Sequence, residues 1–294
     1  MSGVMWVRRQ RALRRFGSEF RAHRAGMVGL AILLVAVVLA LIAPLFIDAG
    51  VTNVVSGTRE KMAPPSIHDP LGTDESGRSV LLMIWWGSRT SLLIGFLAAL
   101  LSMVIGTTFG IAAGHFRGWV GAIILRITDW FLVLPSLVTA LVLAAILGGS
   151  TATIIVAIGV TSWPSTARLI RAQTLAVEAR PYIERSLALG AGHWHITTRH
   201  VFPNVAPLLL ASTTLEVASA IVTESTLAFL GVSANKTSWG TMLRGSYDWG
   251  AATAGAWWYI LLPGLCIVLV VMAFTLCGRA LESVLNPRLR TRAA

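Results

Sequence analysis

Charge is scarce in this chain of 294 residues: Asp, Glu, Lys and Arg together make up 13%. Soluble domains carry about a quarter. With 55% of residues hydrophobic and a mean hydropathy of +0.73, the composition is that of a membrane protein. Lysine is scarcer still: only Lys61 and Lys236 occur, and they follow Glu60 and Asn235. A phosphate-binding loop needs glycine directly before its lysine, so that backbone amides and the ammonium can cradle phosphate. The near match "GVSANKT" fails that test, and no nucleotide site is expected in this chain. Cysteine is limited to Cys266 and Cys277, both in one apolar run. That excludes a zinc spacing and gives no sign of a disulfide framework. No clear small-residue cleavage site follows the first apolar run, which has spanning length, so a cleaved secretory signal is not expected.

Arginine and long apolar stretches are what the chain has in plenty. The net charge is +11, and its placement matters more than its size. Seven arginines crowd "WVRRQRALRRFGSEFRAHR" ahead of the first apolar run. Such an arm could bind nucleic acid or anionic lipid, but it also has the composition of a cytoplasmic flank that sets topology, and that is the reading taken. Six apolar segments follow, at residues 27–47, 91–113, 127–147, 151–167, 205–230 and 257–277. The fourth is short, but Leu169 and Ile170 extend it while Arg168 and Arg171 snorkel at its end. With the N-terminus inside, eighteen of the 24 basic residues fall on the cytoplasmic side and six outside. The expectation is an all-α membrane protein of six transmembrane helices, with both termini cytoplasmic. Residues 48–90 and 231–256 are then external loops. Trp85, Trp86, Trp249, Trp257 and Trp258 lie near the outer boundary, as an aromatic belt would.

Between the fourth and fifth segments lies "ERSLALGAGHWHITTRHVFPN", residues 184–204, a polar island broken by two glycines. Helical spacing gives Tyr182, Ile183, Leu187 and Leu189 one apolar side before the glycines, and Trp194, Ile196, Val201 and Phe202 another after them. Gly190 and Gly192 permit positive φ and read as a helix cap and a turn. Pro203 then ends the second piece. The expectation is two short amphipathic helices with a stiff bend between them. They are too short and polar to span, but suited to lie on the membrane or to fill a partner's groove. In a helix His193 and His200 share a face while His195 points away, so no metal site is expected. Contact with a partner or with solvent is the reading for these histidines.

Asp129, Glu216 and Glu224 fall within the spans, where a charge is costly and faces protein or water. Ser212, Glu216, Ser219, Thr223 and Thr226 follow one another at spacings of 4, 3, 4 and 3, a single polar stripe down the fifth segment. Two readings stay open for it: the lining of a solute pathway, or hydrogen bonding between helices. Gly106, Gly110 and Gly114 predict close helix packing. Pro135 and Pro164 predict kinks in the third and fourth segments. "HDPLGTDESGRS" is rich in acidic oxygens but lacks the calcium-loop spacing. It is expected to form turns and a helix cap before "SVLLMIWW".

The island resembles the cytoplasmic coupling loop of ATP-binding-cassette (ABC) importer permeases. That pattern runs E-A-A, three residues, G, then nine or ten residues before a hydrophobic-x-P ending. Glu184 takes the first position, Gly190 the glycine, and Val201, Phe202 and Pro203 the ending, while Arg185 and Ser186 replace the alanines. Seven further stretches resemble, in order, the C-type inner-membrane subunit of dipeptide, oligopeptide and nickel permeases. They are "GLAILLVAVVLALIAPLF", "PPSIHDPLGTDESGRSVL", "ARLIRAQTL", "RHVFPNVAPLL", "ESTLAFLGV", "SWGTML" and "ALESVLNPRLR", and the likeness runs from about Phe16 to Arg290.

The resemblance implies the type I ABC-importer permease fold in the plasma (inner) membrane. It implies an ATPase-coupling loop containing Glu184, Arg185, Ser186, Leu187, Gly190, His193, Trp194 and Pro203. It also implies a second permease subunit in a heterodimer, two cytoplasmic ATPase domains that bind ATP and Mg, and an external substrate-binding protein. The chain is then divided into residues 1–87 (basic arm, first span and external loop), 88–282 (transmembrane domain with the coupling loop) and 283–294 (cytoplasmic tail). It is expected to be non-catalytic and to bind no cofactor or metal. Peptides are the first choice of solute; nickel chelates, haem or another small solute are the alternatives. A reading from another class is an ion-driven secondary transporter using Asp129, Glu216 and Glu224, which would run on an ion gradient without any ATPase. A membrane enzyme would need clustered catalytic groups, and none stands at a convincing spacing.

Overall fold

The computed structural model describes residues 16–48, 50, 59–116, 118–234 and 236–285. The arm arginines up to Arg15, Arg117, and the tail from Asn286 onward with Arg288, Arg290 and Arg292 lie outside the described residues. Nine helices order the rest: α1 (Arg24–Phe46), α2 (Val80–His115), α3 (Trp119–Val133), α4 (Ser136–Ile146), α5 (Thr151–Glu178), α6 (Pro181–Ala188), α7 (His193–Phe229), α8 (Trp239–Asp248) and α9 (Trp257–Leu285). A further helical stretch, residues 16–22, precedes α1. Among the described residues the strand-like pairing is a single antiparallel bridge, Thr73 to Ser79. Helices are the expected answer to a bilayer, because each satisfies its own backbone.

Among the described residues five helices, α1, α2, α5, α7 and α9, are long and apolar enough to cross a membrane. Helices α3 and α4 meet at 90° and make a sixth crossing only when taken together. The expected third span is therefore not one rod. Leu134 is extended (φ −76°, ψ 133°) and Pro135 caps α4; a residue before proline is pushed out of the helical region, and here the chain turns rather than kinks. At Pro164 the helix α5 continues through the proline.

The expected spans also begin too late or end too early. Helix α2 starts at Val80, not near Ser91. In its first turns Ser88 Oγ donates to the Trp85 carbonyl at 2.6 Å and Arg89 lies over the Trp86 ring, 4.8 Å from its centre. Residues 231–256, read as loop, contain α8, which opens with a capping box: Ser238 Oγ accepts from the Thr241 amide, and Thr241 Oγ1 accepts from the Ser238 amide. Reciprocal caps of this kind satisfy two end amides at once.

Helices α2 and α5 pack most extensively, with α7 and α9 against each other and α1 leaning on α9 and α2. The glycine seam explains the first contact. A Cβ built on Gly106, Gly110 or Gly114 would stand 2.7 Å from an atom of α5: Thr166 Cβ, the Ala167 carbonyl oxygen and Thr174 Cβ respectively. Only glycine lets the backbones come this close, as expected. The main core gathers Ile94, Ala98, Ile158, Val217 and Ile221 where α2, α5 and α7 meet. Leu41 and Leu45 of α1 face outward and are exposed.

The segment before α2 is tied down. Trp258 Nε1 donates to the Thr73 carbonyl at 3.2 Å, and Thr73 Oγ1 donates to the Glu60 carbonyl at 2.7 Å. The buried Asp74 carboxylate accepts from the Ser76 amide (2.9 Å), the Arg78 amide (2.8 Å) and Arg78 Nε (2.6 Å). Turns are present as expected, but Ser79, at the cap position of α2, makes no side-chain cap bond. Trp258 is buried within the chain, whereas Trp249 and Trp257 are exposed.

Candidate functional site

The polar island folds as an elbow. Arg180 is extended and Pro181 opens α6, where proline's missing amide hydrogen costs nothing. At the other end Gly190 adopts φ +84°; its amide donates to the Leu187 carbonyl (2.9 Å) and the Ala191 amide to the Ser186 carbonyl (3.0 Å). This is the paired Schellman closure, with glycine in the left-handed position. Gly192 does not share that role. It has φ −77° and caps α7, its carbonyl accepting from the Ile196 amide at 3.1 Å.

The apolar residues of the elbow divide into two sets. Ile183, Ile196, Val201 and Val205 are buried with Ile111, Ile170 and Val177 at the ends of α2 and α5. Leu189 and Trp194 are 89% and 81% exposed, with Leu187 and Tyr182 beside them in partial exposure. One set anchors the elbow, and the other forms an apolar tip that no described residue of this chain covers.

Pro203 does not end the second piece. Helix α7 runs unbroken from His193 to Phe229 through a π-helical turn at Thr197–Val201, whose wide ring is closed by the Phe202 amide donating to the Thr197 carbonyl. Counted from the α-helical run that follows, Pro203 stands in the first turn, where it is tolerated. The π turn also overturns the expected histidine geometry. His195 and His200 come together, ring centroids 5.6 Å apart, while His193 turns to His115 with its Nδ1 2.9 Å from Nε2 of that ring. No group of three His, Cys, Asp or Glu placed to hold a metal occurs among the described residues.

The polar stripe of α7 divides as well. Ser212, Thr223 and Thr226 donate to carbonyls of their own helix, at Leu208, Ser219 and Val222. Glu216 accepts from Ser102 Oγ of α2 at 3.0 Å. Glu216 and Ser219 line a cavity of about 230 Å³ that reaches the α3–α4 break and Pro164, with Phe131, Ser136 and Thr161 on its walls. The three acidic residues do not converge. Asp129 receives Arg168 Nη2 at 2.6 Å, Glu216 is held by Ser102, and Glu224 is buried next to Ser225, whose Oγ donates to it at 3.3 Å. Ser102 and Thr161 carried no signal in the sequence; nothing in one dimension sets such a hydroxyl apart from packing serine and threonine.

A bent pair of half-helices flanking a cavity, five further helices of spanning length among the described residues and a stiff polar elbow are the build of a membrane permease. Residues 106–291 match the family of binding-protein-dependent transport system inner membrane components, and the chain belongs to that family, which has the type I ABC permease fold. Residues 9–65 match the N-terminal transmembrane domain of oligopeptide transport permease C. Among similar proteins are the dipeptide transport system permease protein DppC of Bacillus subtilis (35% identical over 274 residues, 92% of this chain and 84% of the relative) and the oligopeptide transport system permease protein OppC of the same organism (34% over 276 residues, 92% and 88%). The glutathione transport system permease protein GsiD of Pectobacterium atrosepticum is 34% identical over 282 residues, covering 95% of this chain and 92% of the relative.

Proposed function

We propose that this chain forms half of the translocation pathway of an ABC importer for dipeptides or oligopeptides in the inner membrane. Its partners are a second permease subunit, two ATPase domains that bind ATP and Mg, and an external substrate-binding protein. Both termini and the elbow of residues 184–204 face the cytoplasm, in keeping with the split of basic residues. The observation that carries the reading is the uncovered apolar tip, Leu189 and Trp194, held on a closed bend. Apolar side chains on a stiff knob fill a partner's groove and move with it. Glu184, Arg185, Ser186, Leu187, Gly190, His193 and Pro203 shape or flank that tip. When the ATPases close on ATP, the knob moves and the attached spans shift between states of different solute access. The chain does no chemistry of its own. The side of α7 with Glu216 and Ser219 lines the pathway, and Ser212, Thr223 and Thr226 continue it with their hydroxyls returned to the backbone.

The test is reconstitution. The chain co-purified with its ATPases, second permease and binding protein takes up labelled dipeptide in proteoliposomes only with ATP. Uptake by the chain alone on a proton or sodium gradient contradicts the proposal.

A further inference from the structure

We infer that Glu178, His115 and His193 form a hydrogen-bonded latch that positions the elbow on the ends of α2 and α5. The three residues belong to three elements: Glu178 is the last residue of α5, His115 the last of α2 and His193 the first of α7. The two inner side chains are nearly closed off, 7% exposed at His115 and 9% at Glu178. His115 Nδ1 contacts Glu178 Oε1, and His115 Nε2 lies 2.9 Å from His193 Nδ1. A carboxylate oxygen accepts, so His115 Nδ1 is a donor. Whichever ring holds the proton between them, His115 Nε2 and His193 Nδ1 are joined by one bond, and Glu178, His115 and His193 form a continuous chain. The Phe116 ring packs against both imidazoles, at centroid distances of 5.0 and 5.7 Å.

Apart from the Arg180 Nη1–Asn204 Oδ1 bond at 3.4 Å, which does not reach α2, the rest of the elbow's attachment among the described residues is apolar, through Ile183, Ile196 and Val201, and apolar contact is non-directional. The latch supplies the direction. It also reaches α2, to which the elbow has no adjacent covalent link. Because the glycine seam already makes α2 and α5 one unit, a grip on His115 and Glu178 passes the elbow's movement to both. The imidazoles bond ring to ring at 2.9 Å, so these histidines act as a link between elements and not as separate ligands.

This inference rests on the coupling role proposed above, and its test separates the two. In the reconstituted complex, peptide taken up per ATP hydrolysed is measured for His193→Asn, His193→Gln and His193→Ala. Asparagine presents its amide where Nδ1 stands; glutamine places it one carbon further out. The latch predicts that Ala and Gln lower the ratio about fivefold, the shift expected from one lost hydrogen bond of ordinary net worth, and that Asn restores it. Glu178→Ala lowers the ratio equally and adds nothing to His193→Ala, since coupled residues of one network are non-additive. Three His193 variants alike, whether all normal or all impaired, overturn the latch, as does full additivity with Glu178→Ala. Trp194→Glu is the separate arm: it blocks uptake if the elbow couples at all, whatever the latch does. Normal uptake in Trp194→Glu removes the coupling role itself.

Discussion

His195 and His200 face one another with ring centroids 5.6 Å apart, although an ordinary helix would turn them to different sides. The π turn at Thr197–Val201 brings them round, and it also sets the direction in which everything before it points. Deleting Ala206, in the regular run that follows, should swing the wide turn and the elbow together by about 100° about the α7 axis. The expected outcome is loss of uptake with normal membrane insertion and folded yield. Thr198→Ala, which removes only the exposed bond to the Trp194 carbonyl, should leave uptake near normal. Transport assays on the two variants check this.

Gly190 is required for its backbone and not for lack of room, since a Cβ there would have nothing within 4 Å. Its φ of +84° is costly for ordinary side chains but open to asparagine. Gly190→Asn should therefore keep most of the uptake, whereas Gly190→Val should lose it, with about 1–2 kcal/mol of local strain. Uptake and ATPase rates of the two variants make the comparison.

At the glycine seam the constraint is space. Gly106→Leu must place its Cβ 2.7 Å from Thr166 Cβ and 2.8 Å from the Trp163 carbonyl oxygen. Overpacking of this kind costs about 1–3 kcal/mol or more, so thermal unfolding in detergent should begin at lower temperature. Gly264→Ala in α9, where nothing lies within 4 Å, should unfold as the unaltered chain does.

Much of this architecture was legible in the sequence, because lipid makes composition speak plainly. Apolar runs located the spans, the spacing of Gly106, Gly110 and Gly114 located their closest contact, and the island at 184–204 was recognisable from its polarity and glycines. The failures share a cause. Hydropathy measures greasiness rather than helix length, so α2, α5 and α7 were cut short where polar residues such as Arg89, Gln173 and His200 continue the helix. Periodicity assumes 3.6 residues per turn, and one wide turn before Pro203 was enough to exchange the partners of His193 and His195. Contacts between distant residues, such as Ser102 with Glu216 or Trp258 with Thr73, follow from packing alone.

The cavity reaches Glu216 and Ser219 of the stripe and leaves Ser225, on the same helix, outside its lining. Ser219 is exposed and lines the cavity, whereas Ser225 is buried. Ser219→Cys should react with a polar thiol reagent, faster or slower when ATP is added, while Ser225→Cys should stay unreactive. Equal silence at both positions would remove the pathway role of this face.

The account turns on where the tip of the elbow points and what covers it. The most direct measurement labels Leu189→Cys with a membrane-impermeant thiol reagent in sealed vesicles of either orientation, with and without the ATPase subunits. The account predicts labelling in inverted vesicles alone, and protection once the ATPases are bound. Labelling in right-side-out vesicles, or no protection by the ATPases, contradicts it.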